Sequence, residues 1–313
     1  MFNALLIGCG NIGALYDLEM DQLTTHAKAY ARNSDFNLTV FDIDKELEEK
    51  VAKTYHADSI RELKIDHLAS FDCISICSPT STHAAILTDA IHAKVPVIIC
   101  EKPVSNVIGE LSTLESAYRE GQSKVIVNYF RRFQPAFAEL KEKVRQLLQT
   151  EKLTNVAIRY QRGFINNASH AFDLIQYLTD KPILLDQAYT THQVNDHFPD
   201  DPTLTLTGIW DNTSLVLQGL GNVQFSHFEI DLYFKTYKIM IINAGKDILT
   251  FQAAGNGRFL QPLIQIGRKS DCISNYMEPV IRQAADILKG KILEDNFLDS
   301  VKLNRQMLNF VLN

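Results

Sequence analysis

Near the start of the chain, a short apolar run from Phe2 to Ile7 leads directly into glycines with the spacing G-x-G-x-x-G. Such a run is typical of a buried parallel strand. After it, the first glycine permits a tight turn, the second lets the backbone approach a pyrophosphate, and the third lets the next helix pack closely. That helix would offer N–H groups and a positive dipole end to a phosphate. The pattern predicts a dinucleotide-binding turn rather than a turn without a ligand, with these candidate residues: Gly8, Gly10, Asn11, Ile12 and Gly13.

A lysine suited to acid–base chemistry follows a later apolar run, in the segment Glu101-Lys102-Pro103. Parallel sheets bind ligands beyond the carboxyl ends of their strands, and Lys102 stands at such an end. A partly desolvated cleft lowers the pKa of an amine, so that it can take the proton of a hydroxyl group or donate one to a carbonyl. The alternative is a solvated lysine at a helix start, and the position after the strand favours the catalytic interpretation.

A polar stripe occurs on an otherwise apolar segment in the second half of the chain. If the segment is helical, Asn166, His170 and Asp173 stand at positions i, i+4 and i+7 and share one face. Histidine titrates near neutral pH, which suits proton transfer, and Asp173 could fix its tautomer or bind a substrate hydroxyl. A hydrogen-bonded structural histidine is the alternative. The stripe favours a helix face that lines a cleft.

Alternating strands and helices must position the first two groups. Strands are predicted over 37–41, 72–77, 95–100 and 124–128, with helices over 45–55, 81–90 and 105–120. This order predicts a doubly wound parallel sheet. Residues 16–24 are interpreted as a loop, either a decoration or a flap, inserted before a helix that starts near residue 25. Further candidates for cofactor contacts stand at the strand ends: Asp42, Ser78, Pro79, Thr80, His83 and Glu101, with Lys102 beside them.

Asp42 ends the second strand, where a dinucleotide fold places the partner of the ribose 2′-hydroxyl. It lies further beyond the glycines than usual, and the inserted loop accounts for the excess. A carboxylate there repels a 2′-phosphate, so we expect NAD rather than NADP. Asp44 is a second candidate, but its place before a charged helical segment favours an N-cap.

The composition excludes several other classes of protein. The chain has 313 residues, of which 46% are hydrophobic and 22% charged, and its formal charge is −6. These values favour a globular protein of two domains that binds neither nucleic acid nor membrane. We expect no signal peptide, because the first strand starts at once. The five cysteines, mostly in apolar runs, fit buried thiols in a reducing cytoplasm.

The second half has a different pattern. A helix is predicted over 135–149, and short alternating runs from residue 183 to residue 251 predict a large, mostly antiparallel open sheet. The exposed face of such a sheet needs a cover, and the expected one is a second copy of the chain, in a homodimer or homotetramer. The histidines of this region lack metal spacing, so no metal is expected. A loop at 255–257 and two helices, over 275–289 and 296–312, follow.

Taken in order, these residues resemble the Gfo/Idh/MocA oxidoreductases, a family named for glucose-fructose oxidoreductase and inositol dehydrogenase. The resemblance implies a Rossmann domain, residues 1–125, and an α+β substrate and oligomerisation domain, residues 126–313, whose last helices return to the first domain. It also implies an active site between the domains, in which Lys102 contacts the nicotinamide side and the substrate hydroxyl. The matching motifs are the glycine turn, Asp42, Ser78-Pro79-Thr80 with His83, Glu101-Lys102-Pro103, Arg131-Arg132-Phe133, and the run from Asn166 through His170 to Asp173.

The sequence departs from this family in two places. Asn166 stands where the family usually has an aspartate four residues before the histidine, and an amide can hold a hydroxyl but cannot act as a base. Phe130 stands where an asparagine commonly precedes the paired arginines, with Tyr129 beside it as a candidate substrate contact. We predict NAD-dependent hydride transfer at a hydroxyl carbon of a sugar, polyol or sugar nucleotide. The alternatives are a biliverdin-type imine or enol reductase and a non-catalytic NAD(H)-binding regulatory protein.

Overall fold

The computed structural model describes residues 1–255 and 260–312, which divide into two compact units. The first unit comprises Met1–Phe133 and Ser274–Leu308. The second comprises Gln134–Ile273 together with the residues from Asn309 onward. The first unit therefore extends beyond residue 125 and takes in most of the two C-terminal helices.

The α-helices are distributed over both units. No helix among the described residues is both long and apolar enough to cross a membrane. In chain order the helices are α1 (His26–Ala31), α2 (Lys45–Tyr55), α3 (Ile65–Leu68), α4 (Thr80–His92), α5 (Ile108–Glu120), α6 (Pro135–Thr150), α7 (Ser169–Thr179), α8 (Met277–Leu288) and α9 (Phe297–Leu312).

The first unit is built on a parallel sheet. Its strands are β1 (Phe2–Ile7), β2 (Phe36–Phe41), β3 (Asp58–Ser59), β4 (Cys73–Ile76), β5 (Val97–Cys100) and β6 (Lys124–Val127), in the order β3-β2-β1-β4-β5-β6. All neighbours pair in parallel. Every residue of β4 and β5 is buried, as expected for strands covered on both faces. The predicted doubly wound parallel sheet is confirmed.

Helix α8 completes the core of this unit, although it comes late in the chain. It packs against α1 and β5. Met277, Val280, Ile281 and Ala284 are fully buried on one face of the helix. Because that face recurs at helical spacing, its burial explains why residues after 273 belong to the first unit.

The second unit contains the larger sheet. Its strands are β7 (Leu153–Tyr160), β8 (Ala188–Val194), β9 (Thr203–Trp210), β10 (Thr213–Gly219), β11 (Phe228–Phe234), β12 (Tyr237–Ile242), β13 (Asp247–Ala253) and β14 (Leu263–Lys269). Their order is β14-β13-β12-β11-β7-β10-β9-β8. Only the β7–β10 pair among these described strands is parallel. The predicted large, mostly antiparallel sheet is confirmed.

The two edge strands, β8 and β14, are not predicted by the alternating pattern. Most of their side chains are exposed whichever way they point, so no apolar face develops. Nearer the middle of the sheet, Ile209 and Val216 are exposed apolar residues on the paired strands β9 and β10. The subunit contact expected at this sheet stays a prediction. The predicted loop at 255–257 lies partly outside the described residues.

Candidate active site

The glycine turn after β1 has the geometry that a dinucleotide requires. Gly8 has φ +97°, and a Cβ atom there would lie 2.6 Å from the Cys77 carbonyl carbon. A Cβ atom on Gly13 would lie 2.1 Å from the Gly8 carbonyl oxygen. Around Gly10, in contrast, no heavy atom of the described residues other than Gly10 and its two chain neighbours comes within 4 Å of such a position. Two glycines therefore close the backbone tightly, and the third leaves open space where a pyrophosphate can approach.

The helix after this turn is shorter than predicted. A single π-helical turn, Asn11–Leu15, follows the glycines, and α1 begins only at His26. The predicted inserted loop lies between them and is organised around the buried carboxylate of Asp17. Backbone N–H groups of Thr24 and Thr25 donate to Asp17 Oδ2 at 2.7 and 2.8 Å. The N–H groups of a first helical turn thus remain available to a phosphate, but a long helix with its dipole does not follow the glycines.

Asp42 is held beside the glycine turn by two backbone N–H groups. Cys9 N donates to Asp42 Oδ2 at 2.6 Å, and Asp44 N donates to Oδ1 at 2.9 Å. Burial, together with the carboxylates of Asp42 and Glu48, raises the pKa of the Cys9 thiol to about 12. The thiol is therefore neutral, and Asp42 supplies negative charge at this turn. The Asp44 side chain accepts hydrogen bonds from two backbone N–H groups of α2, which confirms the predicted N-cap.

The segment after β4 is joined to the segment after β5 by a buried histidine. Ser78 and Pro79 precede α4, which begins at Thr80. His83 is 1% exposed, and its ring nitrogens lie 2.9 Å from the carbonyl oxygens of Pro103 and Ser78. This bridge supports a positioning role for His83. The predicted cofactor contacts of Ser78, Pro79 and Thr80 stay predictions.

Glu101, immediately before Lys102, is the centre of a buried polar network. Its Oε1 lies 3.1 Å from His26 Nε2 and accepts a hydrogen bond from Asn128 Nδ2 at 2.5 Å. Burial opposes ionisation of the carboxyl group, but hydrogen bonding and attraction by His26, with help from Asn128, outweigh it and lower the pKa of Glu101. The residue before Lys102 is thus an ionised carboxylate anchored from two other elements.

The network continues from the ring of His26 into the interior. His26 Nδ1 lies 3.1 Å from Ser75 Oγ, which lies 2.8 Å from the hydroxyl oxygen of Tyr30. All three side chains are fully buried, so their hydrogen bonds fix their positions. His26 is not among the site residues predicted from the sequence. Its only sequence signal is a histidine at a helix start otherwise rich in alanine.

The predicted polar stripe of the second unit begins with an irregular turn. Residues Phe164–Ala168 are π-helical, and the α-helix α7 starts only at Ser169. Asn166 therefore lies in the π-helical turn and His170 in α7, and the predicted sharing of one helix face stays a prediction. Asn166 and His170 are half-buried, whereas Asp173 is 1% exposed. The burial of Asp173 argues against its predicted contact with a substrate hydroxyl.

A single carboxylate from another segment fixes this helix start. Asp201, just before β9, accepts hydrogen bonds from Ile165 N at 2.7 Å and from Asn166 N at 2.8 Å. Gly163 has φ +86°, and a Cβ atom there would lie 2.2 Å from Asp201 Oδ2. The glycine is therefore required for the approach of the carboxylate. Asp201 is not among the site residues predicted from the sequence, because capping by a residue so distant in sequence leaves no local pattern.

The residues around Arg131 have structural contacts within the first unit. Tyr129 is 2% exposed, which argues against the predicted substrate contact. Arg131 is 6% exposed, and its guanidinium lies 4.6 Å from the centroid of the Phe130 ring. That ring stacks on Tyr276, with 4.3 Å between centroids. Within the described part of the chain, no three His, Cys, Asp or Glu side chains come together as a potential metal site.

The N-terminal part of the first unit matches the model of a known family. Residues 2–129 match the model of the Gfo/Idh/MocA proteins, described as an oxidoreductase family with an NAD-binding Rossmann fold. The match covers the glycine turn, the strands of the first sheet, and Lys102.

Curated relatives and solved structures extend this similarity. The uncharacterized oxidoreductase YrbE of Bacillus subtilis is 28% identical over 230 residues, which are 68% of this chain and 64% of that protein. An inositol 2-dehydrogenase of Rhizobium meliloti is 24% identical over 227 residues, with the same two coverages. The chain thus spans less than two thirds of the length of either relative. The structure of UDP-N-acetylglucosamine 3-dehydrogenase GnnA from Acidithiobacillus ferrooxidans has a TM-score of 0.76 and 17% identity, and covers 100% of this chain and 99% of that one. At this identity the likeness shows the fold.

Proposed function

We propose, from the premise that this chain belongs to the Gfo/Idh/MocA oxidoreductases through residues 2–129, that it transfers a hydride between NAD and a hydroxyl-bearing carbon. The proposal rests on three features that lie at the same side of the first sheet, where its parallel strands have their carboxyl ends. The open glycine turn, Asp42 and Lys102 each follow the carboxyl end of a parallel strand. In sheets of this kind, ligands bind at that edge.

Oxidation of an alcohol removes a proton as well as a hydride, and NAD supplies the hydride acceptor when it is bound. We assign the proton to Lys102. Its Nζ takes the hydroxyl proton during oxidation and returns it to the oxygen during reduction. The neighbouring Glu101 carboxylate is anchored by His26 and Asn128, which supports a fixed backbone at this position.

The proposed substrate class is a sugar, polyol or sugar nucleotide. His170 is the second proposed proton-transfer group, and Asn166 is a proposed contact to a substrate hydroxyl, since imidazole and amide groups both bind hydroxyls. Asp173, being buried, is proposed to support the helix. The printed names of two similar proteins, an inositol 2-dehydrogenase and a UDP-N-acetylglucosamine 3-dehydrogenase, support this substrate class.

NAD is proposed in preference to NADP because of Asp42. Its carboxylate is fixed by two N–H groups beside the glycine turn, where it can accept the ribose 2′-hydroxyl and repels a 2′-phosphate. Fluorescence titration with NADH and NADPH tests this choice. We expect NADH to bind at least about tenfold more tightly, and Asp42→Ala to narrow the difference. Failure of the wild-type chain to bind either dinucleotide would overturn the proposed function.

Turnover is tested with NAD and a panel of cyclitols, sugars and sugar nucleotides, followed by the absorbance of NADH. Oxidation of at least one member supports the dehydrogenase. Tight NADH binding with no turnover across the panel, in either direction, would favour the regulatory alternative instead. We retain the regulatory protein as a second candidate because Asn166 stands where the family usually has an aspartate, and an amide cannot act as a base.

A further inference from the structure

Lys45 and Glu48, in the first turn of α2, form an ion pair next to Asp42. Lys45 Nζ lies 2.8 Å from Glu48 Oε2. The same oxygen accepts a hydrogen bond from the backbone N–H of Asp42 at 2.9 Å. Because both bonds end on one oxygen, the ammonium group lies within two hydrogen-bond lengths of the Asp42 backbone. The ion pair therefore belongs to the surroundings of the carboxylate that we assign to cofactor selection.

The charges of this group act together at the glycine turn. Burial, Asp42 and Glu48 raise the pKa of the Cys9 thiol, whereas Lys45 lowers it. Cys9 stands between the first two glycines, so the cation and both carboxylates are all close to the turn. Lys45 also lies over the Phe41 ring, with its Nζ 4.6 Å from the centroid.

The two partners of the ion pair differ in their freedom. Glu48 is 6% exposed, whereas the side chain of Lys45 is 51% exposed. Because burial disfavours a carboxylate without a partner, Glu48 keeps Lys45 as its cation even though the lysine is half exposed. If it were released, the flexible and exposed lysine could turn toward another anion. A 2′-phosphate beside Asp42 is such an anion, and phosphates are bound by cations with charge-assisted hydrogen bonds.

We propose that Glu48 is a second determinant of dinucleotide choice, which acts by holding Lys45 in an ion pair and so withholds a cation from the 2′-phosphate of NADPH. This inference rests on the proposed function. Asp42 repels the phosphate directly, and Glu48 pairs with the Lys45 ammonium group that would otherwise bind the phosphate. Replacement of Asp42 alone therefore leaves Lys45 in its ion pair, and restores NADPH binding only in part.

The test compares NADH and NADPH binding by fluorescence titration in a set of variants. Glu48→Gln keeps an oxygen that can accept the Asp42 N–H but removes the charge that holds Lys45. We expect this variant to raise the affinity for NADPH relative to NADH by about tenfold, and more in the Asp42→Ser background. Adding Lys45→Met to Glu48→Gln should remove the gain. Glu46→Gln is the matched control, because this exposed glutamate gives the same charge change in the same helical turn.

Each outcome decides between roles. The inference is overturned if the ratio of NADPH to NADH affinity is the same in Glu48→Gln and Glu46→Gln. It is also overturned if the gain in NADPH affinity of Glu48→Gln persists after Lys45→Met is added. A merely structural Glu48 would weaken NADH and NADPH binding equally and lower the melting temperature, which also overturns it. Binding of neither dinucleotide by the wild-type chain contradicts the proposed function itself, so the two failures are distinguishable.

Discussion

The two candidate proton-transfer residues are positioned by different means. Lys102 is the second residue after strand β5 of the parallel sheet, next to a carboxylate that His26 and Asn128 anchor from two other elements. His170 is the second residue of α7, and the π-helical turn that leads into this helix is fixed by Asp201. The position of Lys102 is thus supported by several elements, whereas the helix start that carries His170 is supported by one side chain.

This difference predicts how each region responds to substitution. At the carboxyl ends of the first sheet's strands, β5 pairs with β4 and β6 through backbone hydrogen bonds, and a side-chain substitution in the network does not remove those backbone groups. At the helix start, two backbone N–H groups end on the same carboxylate, so one substitution removes both bonds. We therefore expect the largest effect on activity after β5 to come from substitution of Lys102 itself. At the helix start, we expect it to come from substitution of the supporting Asp201.

The largest expected effect is the loss of the proposed reacting group at the sheet edge. Lys102→Ala should lower kcat by about 10²- to 10⁴-fold, because the hydroxyl proton then loses the acceptor to which we assign it. NADH affinity should fall far less than kcat, since the glycine turn and Asp42 are untouched. Steady-state kinetics on a substrate found in the panel, with NADH titration alongside, gives both quantities.

Lys124→Ala is the matched control for this variant, because Lys124 is an exposed lysine at the opposite, amino end of the neighbouring strand β6. Partial rescue of Lys102→Ala by a small primary amine would identify the missing group as an acid–base catalyst. Nearly unchanged turnover in Lys102→Ala would contradict the assignment and favour the imine or enol reductase, which needs less general-base chemistry.

A smaller effect is expected from removing the support of the helix start. Asp201→Ala leaves the N–H groups of Ile165 and Asn166 without their carboxylate, which should cost about 1–2 kcal/mol of the free energy of unfolding. It should also lower kcat about tenfold through displacement of His170. Denaturant unfolding and kinetics measure these effects, and Asp201→Asn, which keeps one acceptor oxygen, should recover part of both.

The neighbouring Asp200 provides the control for Asp201, since it is exposed and carries the same charge. Asp200→Ala should leave both stability and kcat close to the wild-type values. If the two alanine variants behave alike, the capping bonds do not position the helix start, and the contrast between the two regions is lost.

The same contrast governs what could be predicted from the sequence. The place of Lys102 at a strand end follows from a short apolar run with a polar residue behind it, and both sheets could be predicted from such runs. The π-helical turn at Phe164–Ala168 could not, because such a turn leaves no mark in an i, i+4 pattern. Asp201 and His26 were missed for a related reason. Their partners are distant in sequence, so only the folded chain brings them together.

The smallest expected effect concerns the support of Lys102 and depends on pH. Because the folded chain lowers the pKa of Glu101 below its usual value of 4.5, the ionised carboxylate contributes stability at neutral pH, and this contribution is lost as the pH falls through the lowered value. Glu101→Gln has no such titration. The melting temperature of the wild type relative to this variant should therefore decline by roughly 1–3 °C between pH 6 and the acid side of 4.5. Exposed Glu120, changed to Gln, serves as the control and should show a smaller decline. If the Glu101→Gln difference stays constant with pH, the carboxylate is not held ionised by His26 and Asn128, and the distributed support at the sheet edge does not include this charge.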